Sequence, residues 1–315
     1  MEMPDISRVG VVGAGTMGVK IALRCITFGK EAYIVDNSPQ ALQQAMDKSK
    51  AWLAEAVDGG TLKVEEAQLA LARLHPCDSL EACVADVELV IEAVPESLEL
   101  KRRLFAQIDR LAPVQALIAT TSSSIPCSRI ADATGRPGKV LNLHFHHPRD
   151  NAPLEVMGGP DTAPETLAAG ERFVRSLGMM PFMVKREIMG FGLNTIWHEI
   201  KKAALRVVAG SHLDFEDVDR AFMLMWNRPQ GVFASMDAIG LDVVRDIEMQ
   251  YYMDSGDERD RPPEFLDRLI AQGRLGVKSG RGFYTYPYPE YERPGWLHKE
   301  SPWTSDMTIK LDAEI

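Results

Sequence analysis

The chain has 315 residues, 45% of them apolar and 25% charged, with a formal net charge of −10. That length accommodates two domains with buried cores, and the acidic balance argues against nucleic acid or an anionic membrane surface while leaving room for a local basic patch. Four cysteines, Cys25, Cys77, Cys83 and Cys127, lack C-x-x-C spacing and suit buried thiols in a reducing compartment. Met1 to Asp5 lead straight into the first strand with no basic or apolar leader, so the cytoplasm is the expected location. No apolar stretch reaches the roughly 20 residues of a membrane span.

The run Arg8 to Val12 is apolar and breaks into glycines 13, 15 and 18, spaced G-x-G-x-x-G with Thr16 and Met17 between them, before becoming helical. This reads as strand, tight turn and helix N-terminus, where free backbone N–H groups and the positive dipole end suit a pyrophosphate. A second apolar run, Ala32 to Val35, ends at Asp36, about twenty residues on, where a carboxylate can accept from a ribose diol and repel a 2′-phosphate. The pattern predicts NAD. Ser38 and Pro39 then open a helix over 41–57, and another spans 64–74. Strands are expected over 87–94, 116–120, 140–145, 153–157 and 180–184, with a helix over 96–111. Alternating strands and helices predict a doubly wound, mostly parallel α/β domain over residues 1–186. Its ligand edge would carry Gly13, Asp36, Glu96, Ser123 and His144.

From Gly190 onward the apolar spacing is helical, predicting an all-α domain over 187–286 with helices at 191–208, from Asp214, at 233–252 and at 263–271. Residues 287–315 read as an extended tail on this domain or on a partner subunit.

His144 ends a strand at the ligand edge, and its imidazole can take a proton near neutral pH. Glu155 on the next strand is a candidate acceptor for its other nitrogen. The same residues also read as a satisfied strand-end histidine and a surface carboxylate. In His144-Phe145-His146-His147 strand alternation puts only the first and third histidines on one face, with no third ligand of matching spacing, so no metal site is expected. Ser123 can bond a substrate oxygen or cap the next helix. Asn194 is a poor helix former inside a helix, which either faces solvent or is used.

Together these positions resemble the 3-hydroxyacyl-CoA dehydrogenase family from Arg8 to about Tyr286. The family's acidic segment with its lysine is similar to Ile91 to Glu96 with Lys101, its N-T-S-S to Thr121 to Ser124, and its H-F-x-N-P to His144 to Pro148. Its L-V-E-V is similar to Pro153 to Val156, its G-F-x-x-N to Gly190 to Asn194, and its closing signature to Leu275 to Tyr284. The resemblance implies NAD-dependent, reversible oxidation of a 3-hydroxyl by a homodimer of fatty acid metabolism. In that scheme His144 is the base, Glu155 its support, and Ser123 and Asn194 position the oxygen. Gly13, Gly15, Thr16, Met17, Gly18, Asp36, Glu96 and Lys101 would serve the cofactor, and Lys48 and Lys50 the coenzyme A phosphates. His147 stands at the family's asparagine, beside the substrate, and Thr195 at its arginine. Relatives of similar build act on free 3-hydroxy acids such as gulonate or carnitine, and one serves as a lens crystallin; both a free-acid dehydrogenase and a non-catalytic NAD-binding protein therefore stand as alternatives.

Overall fold

The computed structural model describes residues 5–146, 148 and 151–298. Its contacts divide the chain into Met1–Thr195 and Ile196–Ile315. The first unit runs β1 (Arg8–Val12), α1 (Thr16–Thr27), β2 (Glu31–Val35), α2 (Pro39–Asp58), α3 (Val64–Ala72), β3 (Leu74–Pro76), α4 (Leu80–Val84), β4 (Leu89–Glu92), α5 (Leu98–Leu111) and β5 (Leu117–Thr120). It continues with α6 (Ser128–Ala131), β6 (Val140–Phe145), β7 (Pro153–Gly158), α7 (Pro164–Ser176) and β8 (Met180–Val184). The strands form one eight-stranded sheet in the order β3-β2-β1-β4-β5-β6-β7-β8. Of these seven strand pairs β6–β7 is antiparallel and the others are parallel.

Strand alternation feeds two cores. Val9, Val11, Ile34, Leu89 and Ile91 pack under α1, α2, α3 and α7, while Val12, Val35, Val90 and Ile118 pack against α4, α5 and α6. Because both faces are covered, the central strands are apolar on both sides and read as continuous hydrophobic runs. The order reverses direction between β1 and β4, so the carboxyl ends of these strands flank a crevice of the kind in which such sheets bind ligands.

The second unit is helical. Within α8 (Phe191–Ala209) lies the division between the units, and α9 (Phe215–Trp226), α10 (Val232–Ile239), α11 (Leu241–Ser255) and α12 (Glu264–Ala271) follow. Two buried carboxylates tie this unit together: Asp219 accepts from the amides of Phe233 and Ala234 and from the Tyr284 hydroxyl, and Asp237 from the amides of Phe283 and Tyr284.

Several expectations need correction. The helix expected over 233–252 is two helices, because Gly240 takes φ 104 and its successor's amide bonds instead to the Leu275 carbonyl, at 3.2 Å. The helix expected to reach Leu74 stops at Ala72, and Leu74 opens the short edge strand β3. The helices α4 and α7 stand where no element was expected. The tail is not simply extended: Tyr291 and Trp296 fall in short helical turns and pack edge-on against Tyr284. His147 and residues 299–315 lie outside the described residues.

Candidate active site

Three glycines build the cofactor turn for separate reasons. Gly13 takes φ 110, and a Cβ there would stand 2.6 Å from the Ala93 carbonyl oxygen. At Gly18 a Cβ would lie 1.8 Å from the Gly13 carbonyl oxygen, so only glycine lets α1 return onto the turn. Gly15 has nothing within 4 Å of its Cβ direction, and Thr16 beside it is exposed. The first turn of α1, with Met17 half-buried in it, carries neither a side-chain cap nor an acidic residue. A helix start of that kind leaves amide N–H groups and the positive dipole end facing open space, which fits a pyrophosphate. Asp36 follows β2 and accepts from the Ala14 amide at 2.8 Å and from the Ser38 amide at 2.9 Å. It is fastened to the glycine turn itself, and a carboxylate has further lone pairs for a ribose diol.

Behind the end of β4 lies a buried ion pair. The Lys101 ammonium donates to both oxygens of Glu92, at 2.7 and 2.9 Å, and the two side chains are 1% and 0% exposed. Glu92 also accepts from the Thr120 hydroxyl and the Val94 amide, each at 2.7 Å. Lys101 reaches Glu96 at 3.3 Å, and Glu96 accepts from the Ser122 hydroxyl and from the amide and hydroxyl of Ser124. Burial pushes the Glu96 carboxyl up, but Lys101 and these hydroxyls outweigh it and hold it below the ordinary range. The sequence placed Lys101 among cofactor ligands; in the fold its charge is spent on Glu92 and Glu96.

The third group forms around His144. In the antiparallel β6–β7 pair His144 lies directly opposite Glu155, and the His144 Nδ1 is 3.0 Å from the Glu155 carboxylate. Its Nε2 is 3.2 Å from the Ser123 hydroxyl, which is exposed just beyond β5. The imidazole stacks on Phe191, with centroids 4.3 Å apart and planes 16° apart. Both His144 and Glu155 are 2% exposed. Gly190 and Phe191 take φ 75 and 57, turning the chain so that the first amides of α8, those of Gly192 and Leu193, donate to Glu155 Oε1 at 2.7 and 2.9 Å. Asn194 follows directly on the same turn.

Burial pushes the Glu155 carboxyl up, yet hydrogen bonds from His144, His146 and the Leu193 amide overcome it and bring it to about 2. For His144 burial wins: its pKa is lowered despite the bond to Glu155, with His146 pushing the same way. The ring is thus held neutral, with Nδ1 oriented by a carboxylate and Nε2 turned toward an exposed hydroxyl, the arrangement of a general base.

The structure brings together His144, Glu155 and Ser123, and separately Gly13, Gly15, Gly18 and Asp36. Lys48 and Lys50 stand exposed on α2. Sequence reasoning took His146 for packing, whereas its Nε2 lies 3.2 Å from the Glu155 oxygen already bonded to His144, and it did not foresee the Gly192 and Leu193 amides. It also missed a third metal-capable donor: those of His144, His146 and Glu155 lie within 4.8 Å of one another, because the antiparallel pairing delivers Glu155. Each oxygen of that carboxylate already serves two hydrogen-bond partners.

A doubly wound sheet, a glycine turn made for a dinucleotide and an oriented neutral imidazole define an NAD-dependent oxidoreductase. The family description "3-hydroxyacyl-CoA dehydrogenase, NAD binding domain" matches residues 8–188, and the corresponding "C-terminal domain" matches 190–286. The chain belongs to the 3-hydroxyacyl-CoA dehydrogenase family. It is 33% identical over 283 residues to a 3-hydroxybutyryl-CoA dehydrogenase of Mycobacterium tuberculosis, covering 89% of this chain and 99% of that one. The solved (S)-3-hydroxybutyryl-CoA dehydrogenase of Ralstonia eutropha superposes with a TM-score of 0.85 at 32% identity, over 90% of this chain and all of that one, 100%. A 5-formyl-3-hydroxy-2-methylpyridine 4-carboxylate 5-dehydrogenase of Mesorhizobium japonicum is 28% identical over 288 residues, 89% of this chain and 91% of the relative.

Proposed function

We propose that the protein catalyses the reversible, NAD-dependent oxidation of the 3-hydroxyl of a short 3-hydroxyacyl-CoA to the 3-keto thioester. When bound, NAD supplies the acceptor for the hydride that leaves carbon 3. The His144 Nε2 takes the hydroxyl proton as the C=O bond forms, so that one proton and one hydride leave the alcohol. Glu155 keeps Nδ1–H in place and stabilises the imidazolium that results. Ser123 bonds the reacting oxygen from its position beside Nε2, assisted by Asn194, and His147 is assigned to the substrate from its place at the family's asparagine in the sequence alone. Asp36 receives the ribose diol, Gly13, Gly15, Thr16, Met17 and Gly18 receive the pyrophosphate, and Lys101 acts through Glu96, which it positions. The observation that carries this reading is the single ring shared between Glu155 and Ser123 at 3.0 and 3.2 Å.

The same reading takes the enzyme as a cytoplasmic homodimer of fatty acid metabolism. Four buried free thiols support a reducing compartment, and exposed Leu224, Met225 and Trp226 support a partner copy. Among the described residues no helix is long and apolar enough to cross a membrane.

The alternative substrate is a free 3-hydroxy acid, favoured by the net charge of −10. The test compares kcat/KM for NADH-linked reduction of acetoacetyl-CoA with NAD-linked oxidation of gulonate and carnitine, in the native protein and in the Lys48→Ala, Lys50→Ala double variant. The thioester should be preferred, and the double variant should raise its KM with kcat little changed and a smaller effect at high salt. A free acid turned over far better than any thioester, or a double variant indifferent to coenzyme A, would put the free acid in its place.

A further inference from the structure

His146 has no role in the reading above, yet it occupies half of the hydrogen-bonding capacity on one side of Glu155. Strand alternation puts residues 144 and 146 on the same face, and where β6 ends the ring of His146 turns back to lie 4.1 Å from that of His144, centroid to centroid. Two imidazoles thus meet one carboxylate oxygen, at 3.0 and 3.2 Å. The other oxygen is committed to the Gly192 and Leu193 amides and has no freedom to follow either ring. We propose that His146 is a positioning residue that shares Glu155 with His144 and keeps His144 in its unprotonated, proton-accepting form to lower pH than Glu155 alone would allow.

The His144 side chain is 2% exposed and that of His146 24%. Desolvation penalises a charged ring in proportion to its burial, and His144 bears that penalty more heavily than His146. Sharing one carboxylate oxygen divides what Glu155 can offer a charged His144, and two positive rings 4.1 Å apart would strongly oppose each other. The other groups facing His144 do not reverse this. Ser123 and Phe191 carry no charge, the α8 amides are spoken for by Glu155, and Glu96, which favours a charged His144, is engaged by Lys101 and by Ser122 and Ser124. The direction agrees with the effect of His146 on the basicity of His144.

This inference rests on His144 being the base, and the experiment separates the two. The pH profile of kcat/KM for oxidation, with whichever hydroxy substrate turns over, is measured for the native enzyme and for His146→Phe, His146→Gln and His144→Ala, with NAD binding confirming each fold. Removing the second imidazole leaves that oxygen of Glu155 to His144 alone, so the acid limb should move to higher pH, by about one unit in His146→Phe. His146→Gln, which keeps a donor but no titratable charge, should move it in the same direction by less. An unmoved acid limb in both variants, or a rate lowered equally at every pH, would overturn the inference while leaving His144 as base if His144→Ala has collapsed. Near-full activity in His144→Ala would overturn the base assignment and this inference with it.

Discussion

Asp36 shows at the scale of single residues how structural and functional demands share one side chain. Its two oxygens hold the Ala14 and Ser38 amides, and so fasten the glycine turn to the start of α2. On the proposed reading, removing the carboxylate should therefore change cofactor choice and loosen the turn together. Asp36→Ala should lower kcat/KM for NAD and narrow the preference for NAD over NADP, since the repulsion of a 2′-phosphate goes with the charge. Equal preference for NAD in the variant would show that something other than Asp36 reads the ribose. Much of this was legible in the sequence, because the turn and its acid lie within one strand–helix–strand unit. The surroundings of Glu155 were not: the Gly192 and Leu193 amides arrive from far along the chain, and nothing in local pattern announces a carboxylate that caps a helix 37 residues away. Nor did the spacing of His144 and His146 show that Glu155 would meet both.

Among the elements, the buried strands and the long amphipathic helices were readable, whereas β3, α4 and α7 were not. Leu74–Pro76 contains a proline and only three residues, too few for alternation to register. The helix α4 has five residues. The helix α7 was passed over between two strands although Pro164 and Glu165 mark its first turn. Gly240 inside an otherwise helical pattern was the available signal for the α10–α11 break. A single change reaches α5 through Lys101, whose ammonium fixes Glu92 at the end of β4 and reaches Glu96 beyond it. Lys101→Met leaves the Glu92 carboxylate buried without its cation, a loss of about 3–5 kcal/mol. Urea denaturation should show that drop in stability, with KM for NAD rising as Glu96 loses its anchor. A stability within about 0.5 kcal/mol of the native protein would show that Lys101 does not hold this edge of the sheet.

At the scale of the whole molecule, an acidic chain with a dinucleotide turn, an oriented imidazole and family likeness over both of its units is accounted for by one reaction. In the proposed reaction His144, supported by Glu155, takes the proton while hydride passes to NAD. The most direct measurement is the single-turnover rate of deuteride transfer from 3-deuterated 3-hydroxybutyryl-CoA to NAD, in the native enzyme, His144→Ala and Glu155→Gln, with NAD affinity measured alongside. Transfer should proceed in the native enzyme, fall about 10²–10⁴-fold in His144→Ala, and fall in the same rate constant in Glu155→Gln, all with NAD still bound. Deuteride transfer at near-native rate in His144→Ala would contradict the proposed reaction.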